Sequence, residues 1–204
     1  TNLQNLPRGS KLKEAIIAPE GWKIVGADLS NIELRVGLYF AGQMDKLKLL
    51  ADGVDLYKDF ASDVFGVDYD DVDDDQRFIG KTSQLSLIYG TGHKKLRNQI
   101  KLMSGKDIGE KEAKRIVDFY RSDYVKVVES WSHGETALRA VLNNMAYMFG
   151  AHPKLEVVGK AGIQLPSGMF LQYPDLQLGT NEAGKKEWTY AQRKERIKIH
   201  GPKC

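Results

Sequence analysis

No proline occurs between Pro19 and Pro153. Proline removes a backbone donor and clashes with the preceding helical turn, so a stretch this long without one is open to continuous helices. Apolar residues within it recur at helical spacing. Asp55 to Gly66 reads as a helix capped by Asp55 and stopped by Gly66. Asp73 to about Tyr89 reads as another, followed by a turn at Gly90-Thr91-Gly92 and a basic helix with His93, Lys94, Lys95, Arg97 and Lys101 around Leu96, Ile100 and Leu102. Glu110 to Tyr120 follows, with Ala113, Ile116, Val117 and Tyr120 on one face, and Tyr124 to about Met148 is expected as one long helix.

Outside that stretch the pattern changes. Ala15 to Ala18 and Lys23 to Asp28 read as short strands, the second buried and ending on an acid. Leu29 to Val36 then opens a helix, in which Ser30 and Glu33 have capping-box spacing and Ile32, Val36, Tyr39 and Phe40 form the expected buried face. Beyond Pro153, Leu155–Val158, Ile163–Leu165 and Met169–Tyr173 alternate like strands, with a tight turn at Pro166-Ser167-Gly168; Leu176–Leu178 and Trp188–Tyr190 flank a hairpin tip near Gly184. The expected fold class is α+β: strands, a long helical insertion, then strands again.

At 204 residues, with 42% hydrophobic and 28% charged residues, the chain can bury a core as one large domain or two small ones. The net charge of +3 does not announce a nucleic-acid binder; the distribution of charge matters more. The single cysteine, Cys204, excludes an internal disulfide and a multi-cysteine zinc site. No apolar run is long enough to span a bilayer, and a cytoplasmic protein with no membrane partner is expected. Both ends read as cut, so the chain is expected to be a piece of a larger or split protein.

Two places carry candidate chemistry. In the helix beginning at Asp73, Arg77, Lys81, Leu85 and Tyr89 are each four residues apart, which makes one ridge drifting by roughly 40° per step. Its upper part is cationic and its lower part flat and apolar: it could hold a polyphosphate at one end and a planar base at the other, or be an amphipathic helix with two solvated cations. Asp28, on an acid-terminated strand before a helix, is either a catalytic or metal-binding carboxylate or a residue satisfying helix-entry N–H groups. For Glu33 capping is the first reading. The acidic run Asp68 to Asp75 reads as a solvated loop compensating a helix dipole. In the N-terminal arm, amides beside cations (Asn2, Gln4, Asn5, Arg8, Lys11, Lys13) suit contacts to phosphates and to minor-groove acceptors.

These residues resemble a known family. VGADLSNIELRV (Val25 to Val36) resembles the first polymerase motif of family A DNA polymerases, and RFIGKTSQLSLIYG (Arg77 to Gly90) the second; NLQNLPRG resembles the DNA-contacting segment before the first motif, and LPSGMFLQYPDL (Leu165 to Leu176) is similar to the bacteriophage version. The resemblance implies a partial right-hand polymerase fold, with residues 1–36 and 151–204 in the palm and 37–150 forming helical fingers. It implies DNA-directed DNA synthesis in phage replication, with primer–template DNA and a dNTP as partners and two Mg²⁺ ions as cofactors. Asp28 and the Leu29 carbonyl would be metal ligands; Arg77 and Lys81 would hold the triphosphate, Lys81 also protonating the leaving pyrophosphate. Leu29, Ser30, Asn31, Tyr57 and Leu85 would line the nucleotide. Glu33 and Tyr89 would close the space that a 2′-hydroxyl needs. Tyr89 and Gly90 would flank the template base, and Asn2, Gln4, Asn5 and Arg8 would contact the duplex.

Four departures qualify this. The family's third motif, a His-Asp-Glu segment with the second palm carboxylate, does not occur in the 204 residues, so the chain alone is expected to be inactive. Neither a thumb nor a proofreading exonuclease is expected within these residues. Leu85 stands where relatives carry Phe or Tyr, which predicts poor acceptance of dideoxynucleotides. Tyr57 stands where a histidine often contacts phosphate. Two alternatives remain: a non-catalytic nucleic-acid-binding module, and one half of a split polymerase whose second polypeptide supplies the third motif.

Overall fold

The computed structural model describes residues 11–151 and 154–199. The chain divides into two compact units, Thr1–Asn31 and Ile32–Cys204. In the first, α1 (Lys11–Glu14) is a single turn, and the remainder to Asn31 is irregular. The two strands expected here are not formed. Trp22 is 75% and Val25 91% exposed. A strand exists only through a ladder of hydrogen bonds to a neighbour, and the apolar run Lys23 to Asp28 has none.

The second unit begins with α2 (Ile32–Ala41), α3 (Met44–Ala51), α4 (Leu56–Phe65), α5 (Asp74–Leu87), α6 (His93–Ser104), α7 (Glu110–Asp123) and α8 (Val125–Leu142). Asp55 caps α4, its Oδ1 accepting from the N–H groups of Tyr57 (3.0 Å) and Lys58, and Gly66 ends it in the left-handed region at φ 65°. Asp73 and Gln76 close a reciprocal capping box at the start of α5. The short helix α3 had no clear sequence signal. The acidic run is exposed around a 3₁₀ turn, Tyr69–Asp71.

Two expectations for α2 are corrected. Its buried residues are Leu34 and Leu38, whereas Ile32, Val36 and Tyr39 are each 43% exposed. The helix is apolar nearly all round, so periodicity alone does not choose the buried stripe; packing chooses it. At Gly37 a Cβ would lie 2.3 Å from Ile88 Cδ1, a close approach that fixes the rotation of α2. The helix also starts at Ile32, later than the expected opening at Leu29, with Asn31 at φ 54°. Glu33 lies in its first turn.

One apolar cluster joins α2 to α8 through Leu34, Leu38, Phe60, Leu87, Leu96, Ile100, Ile116 and Tyr120, with Trp131 at its edge. A second joins the last turns of α8 (Ala137, Leu138, Val141) to Val157, Ile163, Leu176 and Trp188. The expected long helix to Met148 stops at Leu142. Asn144 turns the chain in the left-handed region, and Ala146–Phe149 leaves as β1. Its alternating residues pair with β2 (Leu155–Val158), Tyr147 opposite Val157, and this ladder outweighs continued helix. β3 (Ile163–Gln164) and β4 (Phe170–Leu171) complete an antiparallel sheet in the order β1-β2-β3-β4. A second antiparallel sheet contains β5 (Gln177–Thr180), β6 (Lys186–Gln192) and β7 (Glu195–Lys198), the last not anticipated from sequence. Mixed helix and antiparallel sheet is the α+β class expected. Among the described residues no helix is long and apolar enough to cross a membrane.

Candidate functional site

The packing of α5 against α4 builds the site. The buried face of α5 is unusual: Gly80, Thr82, Ser83 and Gln84 lie inside along with Leu87. Gly80 is where the two helices touch. A Cβ there would stand 2.3 Å from the carbonyl oxygen of Tyr57, so only glycine admits this approach. One turn on, the buried Gln84 donates its Nε2 to the Leu56 carbonyl at 2.6 Å. The polar run Thr82-Ser83-Gln84 inside an otherwise helical pattern was the available signal for this contact, and periodicity passes over it.

With α4 held this close, the ring of Tyr57 lies beneath the cations of α5. The Tyr57 side chain is buried, and both the Arg77 guanidinium carbon and the Lys81 ammonium are 5.9 Å from its ring centroid. Burial raises the Tyr57 hydroxyl above its ordinary range, Asp55 and Glu33 add to the rise, and Arg77 opposes it; the phenol stays protonated at neutral pH. Arg77 donates its Nε to Asp55 Oδ2 at 2.6 Å. Lys81 enters no ion pair among the described residues; its ammonium faces the Tyr57 ring. Leu85 is half-buried and packs against the helical core.

The ridge does not run on to Tyr89 as regular helix. α5 ends at Leu87; Ile88 caps it, and Gly90 turns the chain at φ 71° with its N–H on the Leu87 carbonyl at 2.8 Å. Trp131 on α8 donates its indole N–H to the Ile88 carbonyl at 3.1 Å, which pins the turn. Tyr89 is 56% exposed, and its hydroxyl lies beside the Glu33 carboxylate of α2. Partial burial raises its hydroxyl above the ordinary range, and the Glu33 carboxylate raises it further, by its charge and as acceptor. Glu33, Tyr57, Arg77, Lys81 and Tyr89 thus share one neighbourhood, set by α2, α4 and α5.

Asp28, Leu29, Ser30 and Asn31 belong to the first unit, where Asp28, Leu29 and Ser30 are exposed. Asn2, Gln4, Asn5 and Arg8 lie outside the described residues. Asp55 was anticipated only as a cap; its pairing with Arg77 was not. Among the described residues no group of three or more His, Cys, Asp or Glu side chains is placed to hold a metal ion.

Chemically, two cations above one ring can receive a polyanion, and a carboxylate–phenol pair beside them can exclude or bind a hydroxyl. The model of DNA polymerase family A matches residues 1–148, and the chain belongs to that family. It is 35% identical over 131 residues to DNA polymerase I of Pseudomonas aeruginosa, covering 62% of this chain and 14% of that protein. Against the thermostable DNA polymerase I of Thermus thermophilus it is 32% identical over 137 residues, covering 65% and 16%. Against DNA polymerase I of Chloroflexus aurantiacus it is 39% identical over 93 residues, covering 44% and 10%. The chain spans about a sixth or less of these relatives.

Proposed function

We propose that α5 and its neighbours form the seat of an incoming deoxynucleoside triphosphate in a DNA-directed DNA polymerase, and that residues 37–150 act as its fingers. The observation that carries this reading is the placement of Arg77 and Lys81 over the Tyr57 ring, with Lys81 unpaired among the described residues. A guanidinium and an ammonium one turn apart suit adjacent phosphates, the first by its fork and the second as a point charge. Lys81 would give a proton to the departing pyrophosphate as its charge develops. Leu85 would pack on the base; Leu29, Ser30 and Asn31, in the first unit, are proposed as further nucleotide-binding residues. Tyr57 would serve as the platform under both cations, its hydroxyl available to a phosphate oxygen.

The placement of the Tyr89 phenol beside the Glu33 carboxylate supports a steric gate that would leave no room for a 2′-hydroxyl. Tyr89 and Gly90 would also border the template base, and Asn2, Gln4, Asn5 and Arg8 would hold primer–template DNA by its backbone. Asp28 and the Leu29 carbonyl are proposed as part of a Mg²⁺-binding set, with residues 1–36 and 151–204 as palm; the remaining ligands would come from another segment or a second polypeptide. The phage-type assignment rests on Leu165 to Leu176, beyond the family match.

Equilibrium titration of the chain with dATP tests the seat. Arg77→Ala and Lys81→Ala are each expected to weaken binding about tenfold or more, the usual effect of losing a charge-assisted contact. Absence of dATP binding by the unaltered chain, or binding by both variants as tight as that of the unaltered chain, would overturn the reading.

A further inference from the structure

We propose that Asp55 is a positioning residue that presets Arg77 for the triphosphate, an inference that rests on the nucleotide reading above. The two oxygens of Asp55 have different partners. Oδ1 accepts from the backbone N–H groups of Tyr57 at 3.0 Å and Lys58 at 3.4 Å; Oδ2 accepts from Arg77 Nε at 2.6 Å. The N–H of Asp55 itself donates to the Tyr69 hydroxyl at 3.2 Å. The carboxylate is thus held by the first turn of α4, the Asp55 backbone by the 3₁₀ turn that follows α4, and the carboxylate in turn fixes the guanidinium of α5.

Gripping Arg77 at Nε limits its side-chain freedom, so less is lost when it meets a ligand. The terminal nitrogens carry no hydrogen bond to any described residue and remain for a phosphate. Asp55 also opposes an arriving polyanion by its charge, but that charge sits on the N-terminus of α4, whose dipole offsets part of it. Orientation therefore outweighs repulsion, and the triphosphate grip is tied to the α4–α5 contact at Gly80.

The test is a double-mutant cycle read by calorimetric titration with dATP, using the chain, Asp55→Asn, Asp55→Ser, Arg77→Ala and Asp55→Asn with Arg77→Ala. Asn and Ser both cap helices well, so α4 keeps its cap and the thermal midpoints of the Asp55 variants are expected to stay close to that of the unaltered chain. Each Asp55 variant is expected to weaken dATP binding about fivefold where Arg77 is present, whereas Asp55→Asn adds no further loss where it is absent. Equal losses in both backgrounds would show a general structural effect and overturn the inference, as would unchanged or tighter binding by Asp55→Asn. If the unaltered chain binds no dATP, the nucleotide reading fails and this inference with it.

Discussion

The segment around Asp28 and the ridge of α5 are the two stretches that resemble polymerase motifs, and both are equally plain in the sequence. They differ in what holds them. The ridge is fixed from three sides: Gly80 and Gln84 against α4, Trp131 on the turn after Ile88, and Glu33 on Tyr89. The Asp28 segment forms no ladder and leaves Trp22, Ile24 and Val25 exposed. A motif is thus a statement about chemistry; whether it is also a folded site depends on apolar and polar neighbours outside it.

The sharpest contrast lies between Leu87 and Val25. Leu87 is 1% exposed in the helical core, and Leu87→Ala is expected to cost about 2–5 kcal/mol of unfolding free energy, measured by urea denaturation. A cost below about 0.5 kcal/mol would mean that α5 is not packed as described. Next comes Gly80→Ala. The added methyl meets the Tyr57 carbonyl, and overpacking of about 1–3 kcal/mol exceeds the helix-propensity gain of about 1 kcal/mol. A net destabilisation with weakened dATP binding is expected; a more stable variant would break the close α4–α5 contact.

A smaller effect tests the far end of the helical body. Asp107 joins α6 to the start of α7, accepting from Arg97 at 2.6 and 2.7 Å and from the Gly109 N–H at 3.0 Å. The Arg97 hydrogen bond, followed by that from Gly109, holds its carboxyl well below the usual carboxylate range. A depressed folded-state value stabilises above the unfolded value of about 3.9, and the contribution fades as pH falls below it. The stability difference between the unaltered chain and Asp107→Asn should therefore be full at pH 6 and shrink toward pH 2; a difference independent of pH would remove the ion pair as its cause. The smallest effect is Val25→Ala, within about 0.5 kcal/mol by the same denaturation, since that side chain is 91% exposed. A larger loss would show that the Asp28 segment is packed after all.

Much of the helical body was legible because its signals are local. The Asp55 cap, the Gly66 stop and the Ala113–Tyr120 stripe depend on residues within a few positions. The strand at Ala146–Phe149 was not, because Asn144 and pairing with β2 override a pattern that also suits helix. The rotation of α2 was hidden for a related reason: Leu34 and Ile32 are equally apolar, and only the approach of Ile88 to Gly37 decides between them. At the site, Arg77, Lys81 and Tyr89 stood out by type and spacing. Asp55 did not, since nothing in the sequence marks a cap as also the partner of an arginine in the next helix.

On the proposed reading, the α5 ridge receives a triphosphate through its own packing and its own cations. Titration with dATP in the presence of EDTA tests this most directly, comparing Lys81→Ala with Asp28→Asn. The account predicts about a tenfold or greater loss for Lys81→Ala and a change within about twofold for Asp28→Asn. Equal losses, or no loss on removing Lys81, would contradict it.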